Sequence, residues 1–390
     1  MTSTFFPPFH IGGDANHVKY LAEELAKIGH EVHVFYNRDA FAVKRKKVHH
    51  VPESPPGVIV HTYKSLLKLT PYAAYVFGIS PRITKAFRTL VSQIKPQVVH
   101  HHNISLLGYD IVNRYGSYVN IYTAHDYWLI CPQNDLRING IQDCGGKSCI
   151  TCALKRRKPP QMWRNHDRFQ RITSELDLII APSTYLQRRL SRELAIKSVV
   201  IQNFAPLPPS CIHEKECSDY YLFVGSLEKH KGIINLLEAF RKSRDKIGAK
   251  LLIVGRGSLA TQVKRFIHKY SLQDSVVFKG AVNKEDLYSL YFNARALVVP
   301  SIWPENAPLV TLEALSVGTP VIASNTGGLP EIVGKIDKNL IFRDFLELEY
   351  ILANFQKNDV SPSKIKEVYE KFFSPRAFVS KYINIVNNIG

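Results

Sequence analysis

Two glutamates, Glu305 and Glu313, stand eight positions apart in the segment SIWPENAPLVTLEALSVGTPVIASNTGGLPEIV, residues 301–333. Carboxylates accept hydrogen bonds from hydroxyls, and the amides that open a helix donate to phosphate with the positive end of the helix dipole behind them. A nucleotide sugar presents both partners, hydroxyls and phosphates, to one site. The bland alternative leaves Glu305 in a solvated loop and Glu313 in an early helical turn, where carboxylates are ordinary. The context favours the chemical reading.

The elements around the pair would position it. ALVVPS (296–301) is a short apolar run of the kind buried in a parallel sheet, and Pro304 and Pro308 then forbid regular pairing, so a loop begins at the strand's carboxyl end. From Pro308 onward Leu309, Leu312, Glu313, Leu315 and Ser316 have helical spacing, with Thr311 and Glu313 expected in the first turn and Gly318 placed to stop the helix. PVIAS (320–324) reads as the next buried strand. Gly327 and Gly328 follow it, where a backbone can turn sharply or approach a ligand. Two strand ends thus face one crevice, the place where open parallel sheets bind ligands.

PENAPLVTLEAL together with GTPVIASNTGGLPEIV resembles the donor-site signature of the retaining glycosyltransferases of family 4, which have the GT-B fold. The resemblance implies two Rossmann-like α/β domains with parallel sheets facing a central cleft. It implies that Glu305 contacts the transferred sugar, that Glu313 binds the ribose, and that the amides of Leu309 and Val310, beside Asn306, hold the diphosphate. In YYLFVGSLEKHKG (220–232) Lys231 matches the family's phosphate-binding lysine, while Ser226 stands where an arginine is common. A hydroxyl cannot give the bidentate contacts of a guanidinium, and Arg256 is the expected compensating cation.

The first half carries weaker signals. Gly12 and Gly13 precede DANHVKYLAEELAKIGHEV (14–32), whose Val18, Leu21, Leu25 and Ile28 form an apolar helical stripe. A glycine pair before a helix is weak evidence for phosphate binding, and the resemblance adds that this loop meets the donor phosphates and the acceptor. PQVVHHHN (96–103) and YVNIYTAHDYW (118–128) read as buried strands with polar ends. A histidine at a strand end is usually structural, and a run of three suggests metal only weakly. By resemblance His125 contacts the hydroxymethyl region of the sugar, with Asp126 orienting it. Glu305, His125 and Lys231 are therefore the candidate catalytic residues. The family's usual long aliphatic first strand is nearly absent from MTSTFFPPFH, which implies a start at an internal Met or a shortened central strand, and the former is the expectation.

Four of the six cysteines, Cys131, Cys144, Cys149 and Cys152, fall within 22 residues. Four thiolates close a tetrahedral zinc site, and reduced thiols in a cytosolic loop are the alternative at even odds. A metal there would be structural, and none is expected in the chemistry. KRRKPPQMWRNHDRFQR (155–171) has seven basic residues against one acid, interleaved with Trp163 and Phe169. With a net charge of +18 and a pI near 9.5, the chain should seek polyanions, and an acidic membrane surface is preferred over nucleic acid. YAAYVFGI (72–79), flanked by Lys68, Arg82 and Lys85, reads either as a shallow anchor or as ordinary core.

At 390 residues with 45% hydrophobic content the chain can fill two cores. The expected layout is an acceptor-side domain over 1–203, a linker over 204–218, a nucleotide-sugar domain over 219–360, and C-terminal helices over 361–390, the last crossing back to the first domain. No run of about 18 uncharged apolar residues and no export signal is found, so a cytoplasmic place is expected, at the membrane's cytoplasmic face. The expected function is hexosyltransferase-type transfer of a sugar from a nucleotide diphosphate to an acceptor hydroxyl with retention, in glycan or lipid-linked oligosaccharide assembly, without a required cofactor. The alternatives are a nucleotide-sugar epimerase of the same fold, which the two glutamates disfavour, and a basic non-catalytic protein binding nucleic acid or membrane. A dinucleotide oxidoreductase is excluded, because Gly12-Gly13-Asp14-Ala15-Asn16-His17 does not supply G-x-G-x-x-G.

Overall fold

Aliphatic runs that are apolar at every position cannot leave a face in water, and in the computed structural model they become strands covered on both sides. The structure describes all residues except 44–54, 139–141, 146–147, 166–168, 170–171, 210–211, 213–218 and 390. The chain forms two compact units, Met1–Gln202 with Phe378–Gly390, and Asn203–Ala377. Most of the expected linker lies outside the described residues.

The strands of the first unit are β1 (Thr2–Ser3), β2 (Val32–Asn37), β3 (Val58–Tyr63), β4 (Val98–His101), β5 (Val119–Thr123), a small hairpin of β6 (Arg137–Ile138) and β7 (Gln142–Asp143), β8 (Leu178–Ala181) and β9 (Ser198–Val200). Apart from the hairpin they make a seven-stranded sheet in the order β3-β2-β1-β4-β5-β8-β9. Its pairings are parallel among the described residues. The two-residue β1 holds the centre, with Thr2 registered on Phe35 and on His101. The order reverses between β1 and β4, so the loops after those two strands and after β5 share the crevice of this sheet.

The second unit repeats the logic with β10 (Tyr220–Val224), β11 (Lys250–Val254), β12 (Val276–Gly280), β13 (Ala296–Val299), β14 (Val321–Ser324) and β15 (Ile341–Phe342). The order β12-β11-β10-β13-β14-β15 is again parallel and reverses between β10 and β13. β10, β13 and β14 are almost wholly buried, and the helices Ile233–Ile247 and Leu309–Ser316 cover them with Leu236, Leu237, Phe240, Leu312 and Leu315. Burying a leucine or phenylalanine stabilises by about 1.5–3 kcal/mol, so this core holds the strand ends rigid beneath their loops.

At the C-terminus the helix Pro362–Phe372 breaks at Ser374, and the helix Pro375–Asn387 follows. From Phe378 this last helix belongs to the first unit, where Tyr382 stacks on His100 with ring centroids 5.4 Å apart and shares a 3.1 Å hydrogen bond with its Nδ1.

Candidate functional site

In the second unit the loops after β10, β13 and β14 meet backbone to backbone. Gly232 has φ +71°, and a Cβ there would lie 1.8 Å from the carbonyl oxygen of Pro300. Gly327 has φ +60°, and its Cβ would lie 2.1 Å from the carbonyl oxygen of Glu305. The neighbouring Gly328 amide donates to that same oxygen at 2.6 Å. Only glycine lets the turn after β14 sit on the Glu305 backbone this closely, and the turn holds that backbone in place.

Glu305 is 5% exposed, which removes the solvated-loop reading. Its Oε1 accepts from Lys231 Nζ at 2.5 Å and from Ser301 Oγ at 2.8 Å. Burial pushes the carboxyl up, but the Lys231 charge and the bonds from Lys231, Trp303 and Ser301 outweigh it and hold the group below its usual range. Glu305 is thus a buried carboxylate kept ionised. Glu313 is also buried, and it accepts from Tyr291 Oη at 3.1 Å. Burial raises its carboxyl, so the two glutamates are tuned in opposite directions.

The helix Leu309–Ser316 starts after Pro308, which puts Glu313 in the second turn; the expected first-turn position is corrected by that start. The Thr311 amide bonds back to Pro308 at 3.1 Å. Leu309 and Val310 are the first two helical residues, whose amides have no acceptor within the helix, and Asn306 is buried just ahead of them. Carboxylate, ammonium and free helix amides therefore occur within one loop cluster.

Ser226 and Arg256 are exposed on neighbouring loops. The Leu227 amide donates to the Arg256 carbonyl at 2.9 Å, and a Cβ on Gly255 would lie 1.8 Å from the Gly225 carbonyl oxygen. The backbones of the two loops touch, so the Arg256 guanidinium starts from beside Ser226.

The first unit brings a different group together. His125, past the end of β5, shares a 3.0 Å hydrogen bond with His102 Nδ1 and stacks on that ring at 5.3 Å between centroids. His17 meets His125 edge-on at 5.0 Å, and His100 lies 4.0 Å from His102. Lack of water around the rings pushes His125 down to about 4 and His101 to about 3, while Asp14 pulls His125 back up. His17, His100 and His102 are also lowered by burial, so all five rings are neutral at pH 7. The Asp126 oxygens accept from the Trp128 amide at 2.8 Å and from Asn134 at 2.9 Å, and His102 lies on the His125 ring. Burial raises Asp126 to about 7.

Gly12 and Gly13 are exposed ahead of the helix Asp14–Lys27, where Gly12 has φ +91° and Gly13 accepts the His17 amide. Asp14, one residue on, accepts from Asn103 at 2.8 Å. His102, Asn103 and Asp14 were not singled out from sequence, although the polar end of β4 next to His125 on β5 was the available signal.

The basic run is less open than its composition implies. Arg156 pairs with Asp135 at 2.7 Å, and Trp163 is buried with the Arg164 guanidinium 4.8 Å from its ring centre. Lys155, Arg157 and Lys158 remain exposed, and 166–168 and 170–171 lie outside the described residues. Within 72–79 Tyr72 and Phe77 are in solvent while Ala74 is buried, and ahead of that stretch Leu66 is 98% exposed, with Leu67 and Leu69 also in solvent. Among the described residues no helix is long and apolar enough to cross a membrane.

Two parallel-sheet α/β units with ligand loops at the strand carboxyl ends define the GT-B class, and the chain belongs to glycosyltransferase family 4. The profile described as Glycosyltransferase Family 4 matches residues 11–207, and the one described as Glycosyl transferases group 1 matches 212–345. An uncharacterized glycosyltransferase of Methanocaldococcus jannaschii is 40% identical over 112 residues, 29% of this chain and 28% of that protein. The O-antigen chain mannosyltransferase B of Escherichia coli is 35% identical over 118 residues, 30% of this chain and 31% of its own. The chain spans 28%, 45% and 62% of three such relatives, less than two thirds of each. Among solved structures, sucrose-phosphate synthase of Thermosynechococcus elongatus aligns over 97% of this chain and 94% of its own, with a TM-score of 0.69 at 21% identity. Anabaena HepE, solved with UDP and glucose, aligns over the whole of both chains with a TM-score of 0.64 at 16% identity.

Proposed function

We propose that this chain transfers a sugar from a nucleotide diphosphate donor to an acceptor hydroxyl, with the anomeric configuration retained. The observation that carries the reading is Glu305: a buried carboxylate held ionised by Lys231, its backbone held by the Gly327–Gly328 turn, four residues ahead of Leu309, whose amide opens the helix with that of Val310. Glu305 orients the sugar, Glu313 takes the ribose hydroxyls, and Lys231 with the helix amides offsets the charge that develops on the departing diphosphate. Arg256 stands in for the arginine absent at 226. His125, neutral and braced by His102, offers a ring nitrogen to a sugar hydroxyl. The acceptor oxygen bonds to the anomeric carbon on the face the diphosphate leaves, the carbon–oxygen bond to phosphate breaks, and the acceptor proton passes to the leaving phosphate oxygen. These residues supply the charge neutralisation, so the step is assigned to side chains and amides without a catalytic metal.

The UDP and glucose named with HepE support a nucleotide-sugar donor, and the O-antigen mannosyltransferase supports a glycan acceptor. Calorimetric titration of the full chain with a panel of nucleotide diphosphates and their sugars, in chelator, tests the reading. Saturable binding of one base, lost in Glu313→Ala, is expected; no binding to any of them, or unchanged affinity in the variant, would overturn it.

The exposed Leu66, Leu67, Leu69, Tyr72 and Phe77, with Lys64 and Lys68 among them, support peripheral docking on an acidic cytoplasmic membrane surface. Sedimentation with phosphatidylserine vesicles, lost in Leu66→Ser/Phe77→Ser and absent with neutral vesicles, is the expected result. A steep salt dependence of binding to DNA, with none to vesicles, would favour the nucleic-acid alternative instead.

A further inference from the structure

The central strand β1 is two residues long, yet the strands on either side of it run on past Met1. β2 starts at Val32 and β4 at Val98, while the register sets Thr2 beside Phe35 and beside His101, so a gap one strand wide separates them below Met1. That gap is a cavity of about 710 Å3. The helix Pro81–Ile94 walls it with Phe87, Val91 and Ile94, and the last helix walls it with Ile383 and Val386. Phe35 and His101 share a row and meet Phe87, whereas His100, the next residue along, meets Tyr382, so the two helices cover opposite faces of the sheet. The Met1 nitrogen donates to the His33 carbonyl at 2.6 Å, and the Phe35 amide donates to the Met1 carbonyl at 2.9 Å. Those are the bonds of a strand residue. Groups two apart on a strand point the same way, so the His33 amide faces the gap; across it the His102 amide bonds to Thr2 at 3.0 Å, which turns the His100 amide and the Val98 carbonyl inward too. Buried backbone groups of this kind are ordinarily paired. Burial also pushes the Met1 amino group down to about 5, and a peptide nitrogen in its place would carry no charge to bury.

We propose that the cavity is a strand slot: it takes an extended apolar segment joined to the Met1 nitrogen, which lengthens β1 in parallel between β2 and β4. At about 3.3 Å per residue the flanking strands give room for about three residues. The residue next to Met1 falls beside His33 and Val99 and turns to the Phe87 side, and the one beyond it falls beside Val32 and Val98 and turns to Ile383 and Val386. Both positions suit β-branched or leucine side chains. A free peptide would set its own end against the Met1 nitrogen and lose its freedom of motion on binding, whereas a joined segment continues the ladder that Met1 already begins. The lengthened strand steadies what it feeds. The Thr4 amide donates to the Asn103 carbonyl at 2.5 Å, one residue from the His102 that braces His125, so the slot anchors the histidine end of the first unit.

Two extensions of the full chain test the slot without any substrate, so the result stands apart from the donor titration. Val-Leu-Val placed ahead of Met1 is expected to raise the melting temperature by about 5 °C or more and to slow hydrogen exchange at the His33 and His100 amides about tenfold. Ser-Gly-Ser at the same place is expected to do neither. Leu90→Trp, which fills the cavity from its wall, is expected to cancel the gain from Val-Leu-Val. No gain from Val-Leu-Val, equal gains from the two extensions, a gain that survives Leu90→Trp, or the same gain from free acetylated Val-Leu-Val amide at equal concentration would overturn the proposal.

Discussion

The two units bury ionisable groups by opposite means. In the second, Glu305 is taken out of water and kept charged, with an ammonium and a hydroxyl on one carboxylate oxygen. In the first, His17, His100, His101 and His102 are taken out of water and kept neutral, by rings packed on rings. A buried charge is tolerable only when paired, and a buried base escapes the cost by losing its proton. The difference fits their proposed tasks. The Lys231–Glu305 pair, whose cation must meet a changing charge on phosphate, stays ionised, whereas a group that only reads neutral hydroxyls works as an uncharged donor or acceptor. Each unit should therefore fail in its own way.

The largest effect should come from breaking the pair. Lys231→Met leaves a buried carboxylate without its cation, which typically costs about 3–5 kcal/mol. Adding Glu305→Gln removes that stranded charge, so the double variant should melt at a higher temperature than Lys231→Met alone, although donor binding stays lost in both. Additive losses in the double-mutant cycle would show that the two side chains do not act as a pair.

Acid should divide the units next. The histidines are bases whose folded values lie below the ordinary 6.5, at about 3 for His101 and about 4 for His125. Between pH 6.5 and those values the unfolded chain binds more protons, so the first unit loses stability as pH falls, by about 1.4 kcal/mol per pH unit for each ring that charges only on unfolding. Glu305 titrates in a lower window: its value is depressed below the ordinary 4.5, so its contribution is whole above 4.5 and is lost only as pH falls from there through that lower value. Scanning calorimetry with hydrogen exchange at pH 7.5 and 5.5 should locate the loss in the first unit. Equal weakening of both units would refute the contrast.

A smaller effect is expected from His102→Asn. Its ring nitrogen meets His125 at 3.0 Å, so the change should lower turnover about tenfold and move the acidic limb of the pH–rate profile, with donor affinity kept. A fall in donor affinity with an unmoved profile would mean that His102 only fills space.

How far each site could be read from sequence follows the same division. Glu305, Glu313, Lys231 and the glycines sit in short contiguous motifs, because a strand end, a loop and a helix start present phosphate and hydroxyl ligands within a few dozen residues. The parallel sheets were legible for a related reason, since runs such as LLIV and ALVV have no polar face to confuse the period. The histidine cluster draws on His17, His100, His102 and His125, three separate segments plus Tyr382 from the far end of the chain, and no local pattern announces that convergence. The Lys231 to Glu305 contact spans 74 residues and needed the β10–β13 neighbourhood to be seen. Trp163 read as an aromatic in a basic stripe and turned out buried, because composition cannot tell a solvated face from one folded over its own rings.

The smallest effect should be a gain. Ser226 is exposed on the loop after β10, and the neighbouring loop that carries Arg256 is tied to it through the Leu227 amide. If phosphate lies over these loops, the one guanidinium at 256 carries a contact that two positions could share. Ser226→Arg adds a bidentate cation without disturbing a buried group, and donor affinity should rise by no more than about tenfold, about 1.4 kcal/mol. Arg256→Ala should weaken the wild-type chain by a similar factor and the Ser226→Arg chain by less, because the new cation already meets the phosphate. Calorimetry with the best-binding nucleotide diphosphate reads both changes, and equal losses on the two backgrounds would place Arg256 outside the phosphate site.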